Sequence, residues 1–369
     1  MPEPGPEPNS SRRYIRQTAW RSLGRSVALL LITVLAFHPV RPRAEADIRI
    51  AVVGGLAGVG QFTRLEEPFW TQTVPRLTNG RVQAEIHAFD RSGFRGQEML
   101  QLMRLGVVPF GTALLAVVSS EDPELNAIDL PALSPDMPTL RQIVERYRPH
   151  LKRILRERYD IELLAVYAYP AQVLFCTRPF TGLQDMAGRR VRTSSVGQSN
   201  LLSAVGATPV IIPFASIVSS VRSNLIDCAV TGTQSGIEIG LSDVTTHIHT
   251  MALSWGLSFF GATVGAWESL PEDVRTSIGQ GVSQLERDIW DAAARETAEG
   301  IACSTGAPSC QGRRGRMVAV EGRPSEEALR RSLLTGTVLP DWIRRCGAGC
   351  TTAWNQTLGP MLGIEAPAP

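Results

Sequence analysis

The segment from 190 to 230 reads RVRTSSVGQSNLLSAVGATPVIIPFASIVSSVRSNLIDCAV. Its hydrophobic pattern predicts a strand, a helix, a strand, a helix and a strand, over 190–192, 196–205, 209–212, 216–224 and 228–230. Gly and Pro separate these short elements. Strands that alternate with helices in this way are typical of an α/β fold built on parallel sheets.

The same alternation begins earlier in the chain. We predict strands over 48–53, 82–89, 113–118 and 163–169, and helices over 66–77, 96–105 and 140–159. A long helix follows the second set of strands, from 271 to about 299. Two sets of strands and helices in one chain predict two α/β lobes of ordinary domain size.

The N-terminal residues predict an export signal. Five arginines between positions 12 and 25 precede the uncharged run Val27–Phe37, and Ala44-Glu45-Ala46 has the small-x-small pattern of a cleavage site. Eleven uncharged residues are fewer than the roughly 20 needed for a membrane-spanning helix. We therefore expect residues 1–46 to be a cleaved signal peptide, with an N-terminal membrane anchor as the alternative. Arg12-Arg13 leaves the choice between the Sec and twin-arginine routes open.

The charge balance argues against nucleic-acid binding. The chain has 37 basic and 35 acidic residues, and the first 46 residues hold 7 of the arginines and 3 of the glutamates. The remaining chain is thus slightly acidic, whereas a nucleic-acid-binding domain usually carries a basic patch.

All six cysteines lie after the leader. Four fall in the C-terminal region, with the spacings Cys303-x6-Cys310 and Cys346-x3-Cys350. In an oxidising compartment these predict disulfides, for which three connectivities are possible. Zinc is the alternative, but no histidine lies between 300 and 369. Cys176 and Cys228 lie in apolar stretches, and we expect them to be buried thiols.

Three other patterns do not indicate catalysis or a cofactor. The glycines between 54 and 60 do not fit the dinucleotide-binding spacing G-x-G-x-x-G. The serine of the segment 232–236, GTQSG, is one place too late for a hydrolase nucleophile. His247 and His249 share one face of an extended segment, but two histidines are too few for a metal site. We expect no cofactor, no metal and no catalytic residue.

A series of short motifs resembles one family. Residues 179–192 read PFTGLQDMAGRRVR, and GATPV and LID follow at 206–210 and 225–227. NGR, EML, DLP and SLPEDV stand in the same order as in that family, at 79–81, 98–100, 129–131 and 269–274. The segment 47–295 resembles the periplasmic solute-binding subunits of TRAP transporters, of the DctP type.

The resemblance implies a two-lobed α/β periplasmic binding protein fold with a ligand cleft between the lobes and a long connecting helix. The expected boundaries are a first lobe over 47–168, a second lobe over 169–258, a return to the first lobe over 259–300 and a cysteine-containing C-terminal extension over 301–369.

The resemblance also implies site residues. Arg192 matches the family arginine that pairs with a substrate carboxylate, and a guanidinium suits this role because its planar donor fork meets a carboxylate bidentately. Gln172 stands where many members carry a second arginine. With Thr231, Thr233 and Trp255 as the expected walls, the cleft is less charged than usual and favours an aromatic or apolar monocarboxylate.

The function implied is periplasmic capture of a small organic anion and its delivery to the membrane permease subunits of a TRAP transporter. A ligand-binding sensor that docks on a membrane receptor is one alternative, and a periplasmic α/β enzyme is another.

Overall fold

The computed structural model describes residues 48–368. The predicted signal peptide therefore lies outside the described residues. The described strands are β1 (Ile48–Gly54), β2 (Val82–Ala88), β3 (Phe110–Leu114), β4 (Ile161–Ala168), β5 (Gln172–Cys176), β6 (Arg190–Thr193), β7 (Thr208–Ile211), β8 (Cys228–Gly232), β9 (His247–His249), β10 (Leu257–Thr263) and β11 (Val318–Val320).

The α-helices of the described chain vary from one turn to 34 residues. They are α1 (Val74–Leu77), α2 (Met99–Arg104), α3 (Leu115–Val118), α4 (Met137–Tyr159), α5 (Val196–Ala204), α6 (Ile217–Arg222), α7 (Thr233–Glu238), α8 (Val264–Glu268), α9 (Glu272–Thr305), α10 (Pro324–Leu333), α11 (Leu339–Cys346), α12 (Ala348–Gln356) and α13 (Leu358–Leu362). Within residues 48–368, none of these helices combines the length and the apolar character needed to cross a membrane.

The first sheet has the strand order β2-β1-β3-β10-β4. β1 is parallel to both β2 and β3, whereas β10 is antiparallel to β3 and β4. One of its faces packs on a core that includes the fully buried Trp70, Tyr167 and Phe260. The sheet is therefore mixed, because β10 enters it from the second half of the chain.

One predicted strand of this sheet is partly wrong. We expected a strand over 113–118, but the strand ends at Leu114 and α3 begins at Leu115. Leu115 and Val118 are buried while the two residues between them are half-exposed. This i, i+3 spacing is that of a helix face, and a short apolar run alone cannot distinguish it from a strand.

The second sheet has the order β11-β9-β5-β8-β6-β7. β6 lies between β7 and β8 and is parallel to both, as the segment 190–230 predicts. β5 is antiparallel to β8, and β9 is antiparallel to β5. The two sheets and the long α9 confirm the predicted α/β fold class.

Two chain segments cross between the sheets side by side. One joins β4 to β5, and the other leads from β9 to β10. Backbone hydrogen bonds connect them, from Gln172 N to Ser254 O (2.8 Å), from Leu253 N to Gln172 O (2.9 Å) and from Tyr169 N to Gly256 O (3.0 Å). These hydrogen bonds hold the two crossing segments together between the sheets.

The long helix α9 contacts both sheets. Trp290 Nε1 donates to Val166 O in β4 at 2.7 Å, and Thr233 Oγ1, at the start of α7, donates to Glu296 O at 3.2 Å. At Gly300 the helix touches the backbone of α7 directly, since a Cβ atom there would lie 2.3 Å from the carbonyl carbon of Thr233. A glycine is required at this position because it brings the two backbones together.

The C-terminal residues also contact both halves of the described chain. β11 extends the second sheet by pairing with β9. Glu326 in α10 accepts a hydrogen bond from Leu183 N (3.0 Å) and lies 3.1 Å from His249 Nε2. Trp342 Nε1 in α11 donates to Pro123 O, on the side of the first sheet, at 2.6 Å. These contacts pack residues 306–368 against the two sheets.

The cysteines form three disulfides and none of them is free. Cys303 pairs with Cys310 and Cys346 with Cys350, which is one of the three predicted connectivities. The expectation of buried thiols at 176 and 228 is wrong. Cys176 and Cys228 are direct cross-strand partners in β5 and β8, with 4.1 Å between their Cα atoms, and they form the third disulfide. The sequence did not predict this disulfide, because two cysteines can pair in this way only when their strands are neighbours in the right register.

Candidate functional site

Arg192 is a buried cation without an acidic partner. It lies in β6, and its side chain is 4% exposed. Its Nε donates to Ile212 O at 2.9 Å and its Nη1 to Val230 O at 2.6 Å. Across residues 48–368, no carboxylate lies within salt-bridge distance of this guanidinium. Two neutral carbonyl groups hold the side chain in place, and its positive charge is left uncompensated.

The electrostatics of Arg192 suit an anion. Burial lowers the pKa of the guanidinium to about 10, so the group stays protonated at neutral pH. A buried charge is costly unless it is paired. A ligand carboxylate would supply the missing partner, and the planar fork of the guanidinium can bind it through two hydrogen bonds.

Gln172 belongs to an amide and hydroxyl network beside the crossing segments. Its Oε1 accepts from Gln198 Nε2 at 3.0 Å, and the same nitrogen donates to Ser254 Oγ at 2.9 Å. The Oε1 of Gln198 accepts from Ser194 N at 2.9 Å. The sequence indicated Gln172 but not Gln198, because a polar residue in the first turn of a helix carries no local signal of such a contact.

The Gln172 amide also lies directly over Gly256. A Cβ atom at this glycine would be only 2.3 Å from Gln172 Nε2, and its φ of 71° is in the left-handed region. Only a glycine lets the amide pack against the crossing segment.

The other predicted wall residues are dispersed. Thr231 is buried in β8, opposite Val173 of β5. The Thr233 hydroxyl donates to α9, as described above, and Trp255 Nε1 donates to Ser134 O at 3.0 Å. The polar atoms of Thr233 and Trp255 thus stabilise the fold, whereas the charge of Arg192 has no acidic partner among the described residues.

A small cavity opens at the carboxyl ends of β1 and β3. Its lining is mostly apolar and consists of Gly54, Gly55, Leu56, Phe89, Gly96, Met99, Thr112, Ala113, Leu114, Val117 and Tyr169. The hydroxyl groups of Thr112 and Tyr169 are buried and have no hydrogen-bond partner among the described residues. Ligands of open α/β sheets bind at such strand ends.

The loop after β1 reaches from the first sheet to the second. A Cβ atom at Gly58 would lie 3.6 Å from the ring of Phe214, two residues beyond the Ile212 carbonyl that Arg192 contacts. Arg64 Nη1 is 3.1 Å from Glu238 Oε1 in α7, and its Nη2 is 2.6 Å from Glu296 Oε1 in α9. The loop after β1 and the segment after β7 are therefore in contact.

The two histidines of β9 have structural partners. His249 is buried against Glu326, and His247 Nδ1 lies 2.8 Å from Thr246 Oγ1. Within the described residues, no group of three or more His, Cys, Asp or Glu side chains could hold a metal ion.

Solved structures of similar fold match most of the chain. DctP7 of Bordetella pertussis, an extracytoplasmic solute receptor binding pyroglutamic acid, has a TM-score of 0.74 at 19% identity, covering 83% of this chain and 98% of that one. A TRAP periplasmic solute-binding protein of Desulfovibrio salexigens with bound orotic acid has a TM-score of 0.73 at 15% identity, covering 84% and 96%. One from Rhodoferax ferrireducens with bound malonate has a TM-score of 0.71 at 21% identity, covering 85% and 99%. These structures share the fold.

The sequence is also similar to the ectoine-binding periplasmic protein TeaA of Halomonas elongata, at 22% identity over 224 residues. The match covers 59% of this chain and 62% of the length of that protein. The family model for bacterial extracellular solute-binding proteins of family 7, DctP, matches residues 61–303, which is more than half of the chain. The protein belongs to this family of solute-binding proteins.

Proposed function

We propose that the protein is a periplasmic receptor that binds a small organic acid through Arg192 and delivers it to the membrane subunits of a TRAP transporter. The single observation that carries the proposal is the buried guanidinium of Arg192, which has two backbone carbonyl partners and no carboxylate. Such a charge is costly unless a ligand neutralises it.

The ligands of structural relatives support an acid. Pyroglutamic acid, orotic acid and malonate, named with three of the similar structures, all carry a carboxyl group. The mostly apolar cavity beside β1 favours a ligand with an apolar body. We therefore propose a monocarboxylate with an apolar or aromatic frame, and Gln172, Thr231, Thr233 and Trp255 as parts of the surrounding wall.

The proposed lobes are residues 47–168 with 259–300, and residues 169–258. The crossing segments at 168–172 and 254–256 support these boundaries, since the chain passes between the sheets there. We propose that the lobes close on the ligand about this connection, and that residues 301–369 pack on both.

Binding and transport need separate experiments. Mass spectrometry of ligand released from the purified protein, followed by titration calorimetry, should identify a carboxylate that binds one-to-one. Uptake of that labelled acid should then fail in a strain that lacks the gene and return on complementation. Normal uptake without the gene would contradict the transport role and favour a sensor.

A further inference from the structure

Gln198 is a buried side-chain amide in which every hydrogen-bonding position is used. It lies in the first turn of α5 and is 4% exposed. Its Oε1 accepts from Ser194 N at 2.9 Å and from Ser194 Oγ at 3.0 Å. Its Nε2 donates to Gln172 Oε1 at 3.0 Å and to Ser254 Oγ at 2.9 Å. A side-chain amide has two acceptor positions and two N–H groups, so Gln198 has no hydrogen bond left for a ligand.

The backbone N–H of Ser194 fixes the direction of these hydrogen bonds. A backbone N–H can only donate, so the atom of Gln198 that faces it must be the carbonyl oxygen. The nitrogen of Gln198 then faces Gln172, and the atom of Gln172 on that side must accept. Rotation of the Gln172 amide by 180° would set N–H groups against each other. The Nε2 of Gln172 is thereby fixed on the side of its amide that points away from Gln198.

The Nε2 group of Gln172 is a positioned donor without an acceptor. Among residues 48–368, no acceptor lies within hydrogen-bond distance of this nitrogen. Gln172 is half-buried, and the nitrogen is not one of the fully buried polar atoms that lack a partner. It packs over Gly256, where a Cβ atom would lie 2.3 Å from it. The nitrogen is therefore held against the crossing segment with its N–H groups accessible.

Gln172 and Arg192 lie at the same edge of the second sheet. β5 and β6 flank β8, and β5 is antiparallel to β8, so β5 begins where β6 and β8 end. Arg192 contacts the carbonyl of Val230, and Val230 pairs with Leu174, two positions beyond the start of β5. At about 3.3 Å per residue and about 4.8 Å between strands, roughly 8 Å separates the backbones of Val230 and Gln172. A small acid held by Arg192 can therefore bring a second polar atom to Gln172.

We infer that Gln198 is a positioning residue, which holds Gln172 as a hydrogen-bond donor and makes the site select acids with an uncharged acceptor oxygen near the carboxylate. This inference rests on the proposed function, since it assumes that Arg192 binds the carboxylate. The chemical class is a small monocarboxylate with an ether, carbonyl or hydroxyl oxygen on its frame. An ammonium group at that place would face the N–H groups of Gln172 and is disfavoured for the same reason.

Two ring acids of similar shape and equal charge test the inference by titration calorimetry. Tetrahydrofuran-2-carboxylate has an ether oxygen beside the carbon that bears the carboxylate, and cyclopentanecarboxylate has a methylene group there. We expect the wild-type protein to bind the ether acid about 3- to 10-fold more tightly, as for one neutral hydrogen bond. Gln172→Ala removes the donor, so the two acids should then bind within about twofold of each other.

Gln198→Glu is the sharper test, because it should abolish or reverse the preference. A carboxylate at position 198 still accepts from Ser194 but cannot donate to Gln172, so the Gln172 amide turns and donates to it. The oxygen of Gln172 then faces the ligand, and the carbocycle should bind at least as tightly as the ether acid. Both acids carry one negative charge, so the added charge weakens the binding of both and leaves their ratio informative. A merely structural role of Gln198 would lower the melting temperature and leave the ratio unchanged.

The control is Gln83→Glu, the same substitution at an exposed glutamine of β2, which should keep the wild-type ratio. Equal binding of the two acids to the wild type, or no measurable binding of either, would overturn the inference. A wild-type ratio in folded Gln198→Glu or folded Gln172→Ala would overturn it too. The proposed function would still stand if Arg192→Ala weakens binding of the acid that co-purifies with the protein. If folded Arg192→Ala binds that acid like the wild type, the proposed function itself fails.

Discussion

The Nη1 group of Arg192 lies 2.6 Å from the carbonyl oxygen of Val230, in the neighbouring strand of the same sheet. Together with the bond from Nε to Ile212 O, this contact uses two of the five N–H donors of the guanidinium. The side chain is thus fixed in orientation before any ligand arrives. Three donors remain for an anion, and preorganisation of this kind lowers the entropic cost of binding.

Arg192→Ala should weaken binding of the cognate acid by about 2–5 kcal/mol, or roughly 30- to 4,000-fold, because the ligand carboxylate would be buried without a counter-charge. Arg192→Lys should restore little, since an ammonium group cannot reproduce the planar fork. Titration calorimetry gives the affinities, and a melting curve shows that each variant is folded.

Arg190→Ala is the matched control for that change. Arg190 lies two residues earlier in the same strand, but it is exposed and paired with Asp227 at 3.0 Å. Its removal should leave affinity unchanged. If folded Arg192→Ala binds as tightly as Arg190→Ala, the assignment of the carboxylate anchor is wrong.

Arg64→Ala should speed the release of ligand. Arg64 pairs with Glu238 of α7, in the second proposed lobe, so this ion pair forms only when the two lobes are together; its other partner, Glu296 of α9, lies in the same proposed lobe as Arg64. An exposed pair contributes about 0.2–1 kcal/mol, which predicts a release rate up to roughly fivefold higher. Stopped-flow fluorescence measures this rate, and added salt should reduce the difference between variant and wild type.

The control is Arg76→Ala, because Arg76 contacts only neighbours in its own segment, at Gln72 O and Thr73 Oγ1. Equal release rates for Arg64→Ala and the wild type at low salt would show that this contact does not hold the site closed.

Replacing Cys176 and Cys228 with serine should lower the free energy of unfolding by about 4 kcal/mol, because their disulfide closes a long loop in the unfolded chain. The same change at Cys346 and Cys350, which are 4 residues apart, should cost only about 2 kcal/mol. Urea unfolding of the two double variants gives the comparison. A larger loss from the short loop would contradict this ranking. Peptide mapping without reductant should find all six cysteines oxidised.

Asp129 should make stability depend on pH. Burial raises the pKa of this carboxyl group to about 7, so the folded state holds a proton that the unfolded state has already released. The free energy of unfolding should therefore fall as the pH rises from about 4 to about 7, by up to about 4 kcal/mol, and level off above that range. Asp129→Asn lacks this titration, so the difference between wild type and variant isolates it. A difference that is constant from pH 4 to 8 would show that Asp129 stays ionised in the folded protein.

The sequence predicted those parts of the fold that depend on local pattern. β1, β2, β6 and α5 lie within about two residues of their predicted bounds, because clear alternation or a glycine stop marks them. β10 was missed although Gly256 precedes it, because Leu257–Thr263 is buried on both faces and shows no alternation of apolar and polar residues. The disulfide of Cys176 was also missed, because it depends on which strands become neighbours.

Of the residues around the candidate site, the sequence indicated Arg192 and Gln172, and their role in binding stays a prediction. Arg192 stands in a motif with fixed spacing, whereas Gln198 is one of several polar residues in the segment 193–200. No pattern in one sequence shows that its amide contacts Gln172 and Ser254, because these residues are 26 and 56 positions away along the chain.

The close contact at Gly300 determines how α9 packs against α7. A methyl group at position 300 would need space that the backbone of Thr233 and Gln234 already occupies, so α9 would be displaced from the second sheet. Trp290 would still attach the same helix to β4 of the first sheet. We expect this displacement to change the angle between the two sheets. We therefore expect Gly300→Ala to change the geometry of the proposed ligand site, although Gly300 does not line the cavity.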